Sequence, residues 1–265
     1  MRQYSPRRHR RRGISARSQL FLTLLLVTAI TLQISYPLLD GEALRLVTLA
    51  TVYFGAALMI VHAYFSYGWR YSITYLLITF TFGLVIEQIG IRTGWPFGSY
   101  SYDPSLAYQI FLVPLVVPFA WVMMAHPVLV AARRLTTNWV FLYGGIAMMA
   151  WDLFLDPQMV AAHRWTWSDV GSGIPFEREI PISNAAGWLF AGMGLIALLH
   201  VTLPREPKKG GAETTFVDIF LAWTFFAGVI GNIFFFHRPL IGVCAGIIFA
   251  IVYGPYGFTR WLGRP

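Results

Sequence analysis

Charge is what this sequence has least of. Only 12% of its 265 residues are Asp, Glu, Lys or Arg, about half the roughly 25% usual for soluble domains. Hydrophobic residues make up 57%, aromatics 17%, and the mean hydropathy is +0.59. A globule of this length has no interior large enough for that much apolar side chain, so lipid is the expected solvent for most of it. Cysteine is nearly absent. The one residue, Cys244, excludes an intrachain disulfide and a cysteine metal cage. Six histidines without clustered spacing argue against a multi-histidine iron site. Acidic residues are scarcer than basic ones, 12 against 20, with a pI near 9.8. This balance does not fit the acidic proteome of a salt-accumulating halophile. No internal repeat is visible. The one low-complexity piece is a basic N-terminal arm, with Arg7, Arg8, Arg10, Arg11, Arg12 and Arg17. Ahead of an apolar run, it suits an orientation signal with some attraction to anionic lipid, and no nucleic-acid partner is expected.

What is abundant is long apolar runs. Eight approach the roughly 20 residues that span a bilayer core: 19–36, 43–65, 71–91, 110–132, 139–155, 184–201, 216–236 and 240–258. The first could pass for a signal peptide, but no small-residue cleavage site ends it, so it is expected to be retained. Basic residues test the layout. With eight spans, Arg2, the arm, Arg70, Arg133, Arg134, Arg205, Lys208, Lys209, Arg260 and Arg264 share one side, fifteen in all. Arg45, Arg92, Arg164, Arg178 and Arg238 make five on the other. Both termini are therefore expected in the cytoplasm. The expected fold is an all-α polytopic membrane helix bundle of about eight transmembrane helices. Residues 1–18 form a basic cytoplasmic arm, 19–258 one transmembrane domain and 259–265 a cytoplasmic tail of this cell-membrane protein.

Ionisable residues inside a membrane are costly and mark function by default. Glu87 falls one turn before the outer end of the third span. Asp152 and Asp156 fall at the outer end of the fifth, four residues apart and hence on one helical face. Pro157 is expected to stop that helix. Gln88, Asn184 and Asn232 lie at similar depth. The two longest loops, 92–109 and 157–183, are on the same side. Glycine and proline punctuate both, and Trp95, Phe97, Tyr100, Tyr102, Trp165 and Trp167 make them too apolar for free solvation, so they should fold back as a lid. Any one aromatic there could belong to an ordinary interfacial belt, and a lone acid near a span end is more often a snorkelling group. Three acids and two asparagines converging under aromatic loops point to a site. His62, His126 and His200 fall toward the inner ends of their spans with no ligand-type spacing, and no metal is expected.

The segment Glu87-Gln-Ile-Gly-Ile-Arg-Thr-Gly-Trp-Pro-Phe-Gly-Ser-Tyr-Ser-Tyr102 resembles the signature of the CruF-type carotenoid hydratases, which include bisanhydrobacterioruberin hydratases and acyclic carotenoid 1,2-hydratases. The segments 113–124, Met149-Ala-Trp-Asp-Leu-Phe-Leu-Asp-Pro-Gln-Met159 and Ile180-Pro-Ile-Ser-Asn-Ala-Ala-Gly-Trp188 follow in the same order. His126 departs from the pattern, in which an aromatic such as tyrosine is expected. The resemblance implies addition of water across the terminal C=C of an acyclic carotenoid end, giving a tertiary alcohol. Such chemistry needs no cofactor. A carboxyl held protonated in a low-dielectric site can protonate the alkene, and a second can orient water. Glu87, Asp152 and Asp156 are the candidate catalytic groups. Asp152 or Glu87, the deeper acids, would protonate, and Asp156 would hold water. Trp95, Phe97, Tyr100, Tyr102, Trp121, Trp151, Trp165, Trp167 and Asn184 would line the substrate site, with aromatic faces steadying the cation. The implied partners are the acyclic carotenoid, the lipid bilayer and other carotenoid-pathway enzymes.

Two other classes stay open on the sequence. A transporter would need polar residues along a full path, whereas here they gather at one end. A carotenoid-binding protein without chemistry would need no buried acids. Among enzymes, a desaturase would carry histidine boxes, and a prenyltransferase an Asp-rich magnesium motif, which Asp152 and Asp156 do not make.

Overall fold

The computed structural model of the protein describes residues 13–106 and 108–263. Most of the basic arm therefore lies outside the described residues. Among the described residues there are eight long helices: α1 (Ala16–Ser35), α2 (Gly41–Tyr67), α3 (Trp69–Thr93), α4 (Val116–Leu135), α5 (Val140–Ala161), α6 (Ile182–Thr202), α7 (Thr215–Ile230) and α8 (Pro239–Trp261). All but α5 are long and apolar enough to cross a membrane, α7 together with the turn that carries it on to Phe235, and the protein is a multi-pass all-α membrane bundle. In α5 the two aspartates interrupt the apolar run. This helix packs inside, against α4, α6 and α8. The centre is α4, with 78% of its apolar stretch buried.

Helix ends follow their local chemistry. Ser15 caps α1 by accepting from the Ser18 amide at 3.1 Å. Gly94 ends α3 at φ 74°, a left-handed position that suits glycine. Arg133 of α4 donates to the carbonyls of Leu203 at 2.9 Å and Pro204 at 2.8 Å. It thereby meets carbonyls that the end of α6 leaves unpaired and adds a favourable charge there.

Two sequence expectations are corrected. Helix α4 starts at Val116, not at residue 110. Residues 109–114 instead form a tight hairpin, β2 (Gln109–Ile110) against β3 (Val113–Pro114), with Phe111 at φ 57°. Helix and hairpin are equally apolar here, so hydropathy alone could not separate them. Pro118 sits in the first turn of α4, where a missing N–H costs no helical bond. Pro157 does not stop α5, which runs on to Ala161. Proline removes only the bond its own amide would give to the Leu153 carbonyl, and the helix ends later, where Ala162 donates to the Gln158 carbonyl at 3.0 Å and Arg164 to that of Met159 at 2.8 Å.

One end of the bundle carries a lid. Strand β1 (Ser99–Tyr102) pairs antiparallel with β4 (Trp165–Asp169), joining the two long loops. Tyr100 stands opposite Trp167 and Tyr102 opposite Trp165. A strand alternates its side chains, so Tyr100 and Tyr102 turn inward while Ser99 and Ser101 stay exposed. A second ribbon, β5 (Gly173–Ile174) with β6 (Glu177–Pro181), leads into α6. Arg238, just before α8, ties this ribbon down through Glu177 at 2.6 Å. The lid reaches close to the helices because Gly187 of α6 has no side chain. A Cβ there would stand 2.6 Å from the Phe97 ring.

Candidate active site

Under the lid, α3, α4, α5 and α6 converge on a chamber of about 80 Å³. Its acids are Glu87 from α3 and Asp156 from α5, both buried. Glu87 accepts three hydrogen bonds: from Tyr100 Oη at 2.5 Å, Tyr102 Oη at 2.7 Å and Trp121 Nε1 at 3.0 Å. Both oxygens are engaged, which is the coordination a carboxylate requires when taken out of water. Burial, reinforced by the Glu87 carboxylate, pushes both phenols above their ordinary range. They stay protonated and can only serve Glu87 as donors.

Asp152 and Asp156 form a second group, one helical turn apart on α5. Asn184, at the start of α6, holds them together. Its Nδ2 donates to Asp152 Oδ2 at 3.1 Å and to Asp156 Oδ2. Trp165 Nε1 donates to Asp156 Oδ1 at 3.2 Å. Asp152 Oδ1 is buried and has no hydrogen-bond partner among the described residues. Asp156 lines the chamber, and Asp152 does not.

Aromatic rings close the space. Trp121 stacks on Trp188 with ring centres 4.5 Å apart and planes 11° apart. Phe97 packs on Trp188 and Tyr100, and Trp165 meets Tyr102 edge-on at 5.7 Å. Gly83 makes room for the Trp121 indole, since a Cβ there would approach it to 3.0 Å.

Of the residues singled out in the sequence, Glu87, Asp156, Phe97, Tyr100, Tyr102, Trp121, Trp165, Trp167 and Asn184 line this chamber. Trp151 lines an adjoining apolar one. Trp95 is 63% exposed and lines neither. The sequence reading missed Trp188, Leu106, Met123 and Met159. Trp188 was findable, because it follows Asn184 by four residues and so shares its helical face. Leu106 and the two methionines carry no such signal.

The histidines part company. His62 Nδ1 and His126 Nε2 lie 2.9 Å apart, buried at the opposite end of the bundle, and His62 Nε2 reaches the Glu213 carbonyl at 2.9 Å. His200 instead accepts from Arg133 at 3.2 Å. Among the described residues no three His, Cys, Asp or Glu side chains converge as a metal site.

No curated protein and no solved structure matches the chain. A family described as "carotenoid biosynthesis protein" matches residues 47–253, most of the chain and every residue lining the acid chamber. The chain therefore belongs to the carotenoid biosynthesis protein family and has a role in making carotenoids.

Proposed function

We propose that the protein is a carotenoid hydratase, which adds water across the terminal C=C of an acyclic carotenoid end to give a tertiary alcohol. The observation that carries this is a buried carboxyl pair, Asp152 and Asp156, clamped by Asn184 beside an aromatic-walled chamber. A hydrocarbon binder would have no use for such a pair.

In this reading the pair holds one proton between its two carboxyls, since two negative charges so close would repel. Asp156 faces the chamber and delivers the proton to the CH carbon of the terminal alkene. The π electrons form the new C–H bond, and a tertiary cation is left on the adjacent carbon. The stacked Trp121 and Trp188, with Tyr102, border the cation, and the negative charge of Glu87 stabilises it. Water then forms the C–O bond, and its surplus proton returns to Asp156. The net change is one water gained, with the enzyme restored. No cofactor enters the balance. The assignment differs from the one expected from depth alone, which gave protonation to Asp152 or Glu87. Two observations support the change: Asp156 rather than Asp152 lines the chamber, and Glu87 is fully engaged as an acceptor.

The basic asymmetry supports a cell-membrane protein with both termini cytoplasmic, so that the lid lies outside. Other carotenoid-pathway enzymes are natural partners, because substrate and product both reside in lipid. Expression in a host making lycopene, and separately in one making a fifty-carbon acyclic precursor, tests the activity. Products one or two waters heavier are expected in at least one host. Unchanged carotenoids in both would overturn the reading.

A further inference from the structure

Beside the acid chamber lies a larger one of about 310 Å³, bounded by α1, α2, α5 and α7 in the lidded half of the bundle. The two share Thr48, Val52, Met123, Leu155 and Met159 as a common wall, so they adjoin. The larger chamber is within the size range of small-molecule pockets, yet an acyclic carotenoid of eight or more isoprene units is far longer than it. Only a chain end fits, and the rest must lie in lipid.

The far wall permits this. Ile34 of α1 with Phe226 and Ile230 of α7 line the chamber and are also about half exposed on the bundle's apolar flank, at 51%, 55% and 46%. The chamber thus reaches the surface between α1 and α7. Trp223 Nε1 bridges that seam to Gln33 Oε1 at 2.8 Å. Beyond Ile230, α7 widens into a π turn (Gly231–Phe235), an irregularity often found at functional sites. Inside, Thr51 Oγ1 and Tyr36 Oη are buried without a hydrogen-bond partner among the described residues. Buried hydroxyls are normally paired, so this wall offers two polar atoms to a guest.

Building on the hydratase reading, we propose that this chamber is the lateral port for the polyene. The chain enters from the lipid between α1 and α7, and its end passes Met123 and Met159 into the acid chamber. The flexible thioethers of those methionines can yield to a passing chain. Thr51 and Tyr36 hydroxyls then meet the new alcohol as the hydrated end withdraws.

The test uses the full-length protein in lipid nanodiscs with the acyclic hydrocarbon lycopene. In a Cys244→Ser background, Ala227→Cys places a thiol on the chamber wall, and Ala222→Cys places one on the exposed face of the same helix. Lycopene should slow maleimide labelling of the first at least fivefold and leave the second unchanged. Ala227→Trp should lower co-purified polyene and turnover at least tenfold. If hydration proceeds but lycopene leaves labelling at position 227 unchanged, the port is overturned while the hydratase stands. If lycopene protects position 227 but neither lycopene nor a fifty-carbon acyclic precursor is hydrated, the port stands and the hydratase reading falls. The cysteine experiment decides even if Ala227→Trp does not fold.

Discussion

Replacing Glu87 by glutamine removes a charge while keeping the shape of the site. The amide oxygen can still accept from Trp121 Nε1, which is only a donor. The amide nitrogen would face Tyr100 and Tyr102, whose hydroxyls can turn and accept. The fold should therefore survive, with a stability loss of no more than about 1.5–3 kcal/mol, the value of one hydrogen bond to a charged group. The rate should not survive. If the cation forms ~5 Å from the carboxylate at an effective dielectric of ~20, their attraction is about 3 kcal/mol. Losing it slows turnover by about 10²-fold. The assay is turnover of lycopene by purified variant in nanodiscs, beside the amount of polyene that co-purifies. Turnover should fall while bound polyene stays near the wild-type level. Wild-type turnover in Glu87→Gln would refute the electrostatic role. An equal loss of binding and turnover would reduce Glu87 to a structural post. Glu87→Ala is the contrasting case. It leaves three donors without an acceptor, and at about 1–3 kcal/mol for each buried orphan it should lower the thermal midpoint markedly.

Further outcomes follow from the same geometry. Asp156→Asn should lose about 10²–10⁴-fold in turnover, the usual cost of a missing general acid, and still retain polyene. Asp152→Asn should be milder by kinetic assay, because Asp152 does not line the chamber. Asn184→Ala removes the donor shared by both aspartates and should lower both turnover and thermal midpoint, by about 1.5–3 kcal/mol per charge-assisted bond. Arg133→Ala uncaps the end of α6 and should cost about 1–2 kcal/mol in thermal unfolding, with turnover at permissive temperature unchanged. In intact cells carrying Cys244→Ser, thiol labelling from outside should reach Ser99→Cys and Ser172→Cys but not Lys208→Cys, and the reverse pattern would invert the orientation.

Much of this architecture is legible in the sequence because lipid imposes one long apolar run per helix. The depth of Glu87, Asp152 and Asp156 could be counted from the span ends, and two of them do share a chamber. What local pattern could not supply was pairing across distance. Tyr100 and Tyr102 alternate visibly, but nothing in residues 99–102 names Trp165 and Trp167 as their partners 60-odd residues on. The same holds for Asn184, whose depth was evident while its bridge between two aspartates was not. Residues 110–115 and Pro157 misled for a different reason. Hydropathy does not distinguish an apolar hairpin from a helix, and a membrane helix can continue past a proline that removes a single backbone bond. The apolar chamber was invisible because its wall, Phe226 and Ile230 included, is composed like any lipid-facing surface.

The central claim is that a carboxylic acid of this protein protonates the end of an acyclic polyene and that water captures the resulting cation. Incubating the purified protein in heavy water with lycopene, and separately with a fifty-carbon acyclic precursor, and mapping the products by mass spectrometry and NMR tests it directly. The account predicts a product heavier by one or two waters, with solvent deuterium on the carbon next to each new tertiary alcohol, and no such product from Asp156→Asn. A hydrated product without deuterium at that carbon, or no hydrated product from the wild-type protein with either substrate, would contradict it.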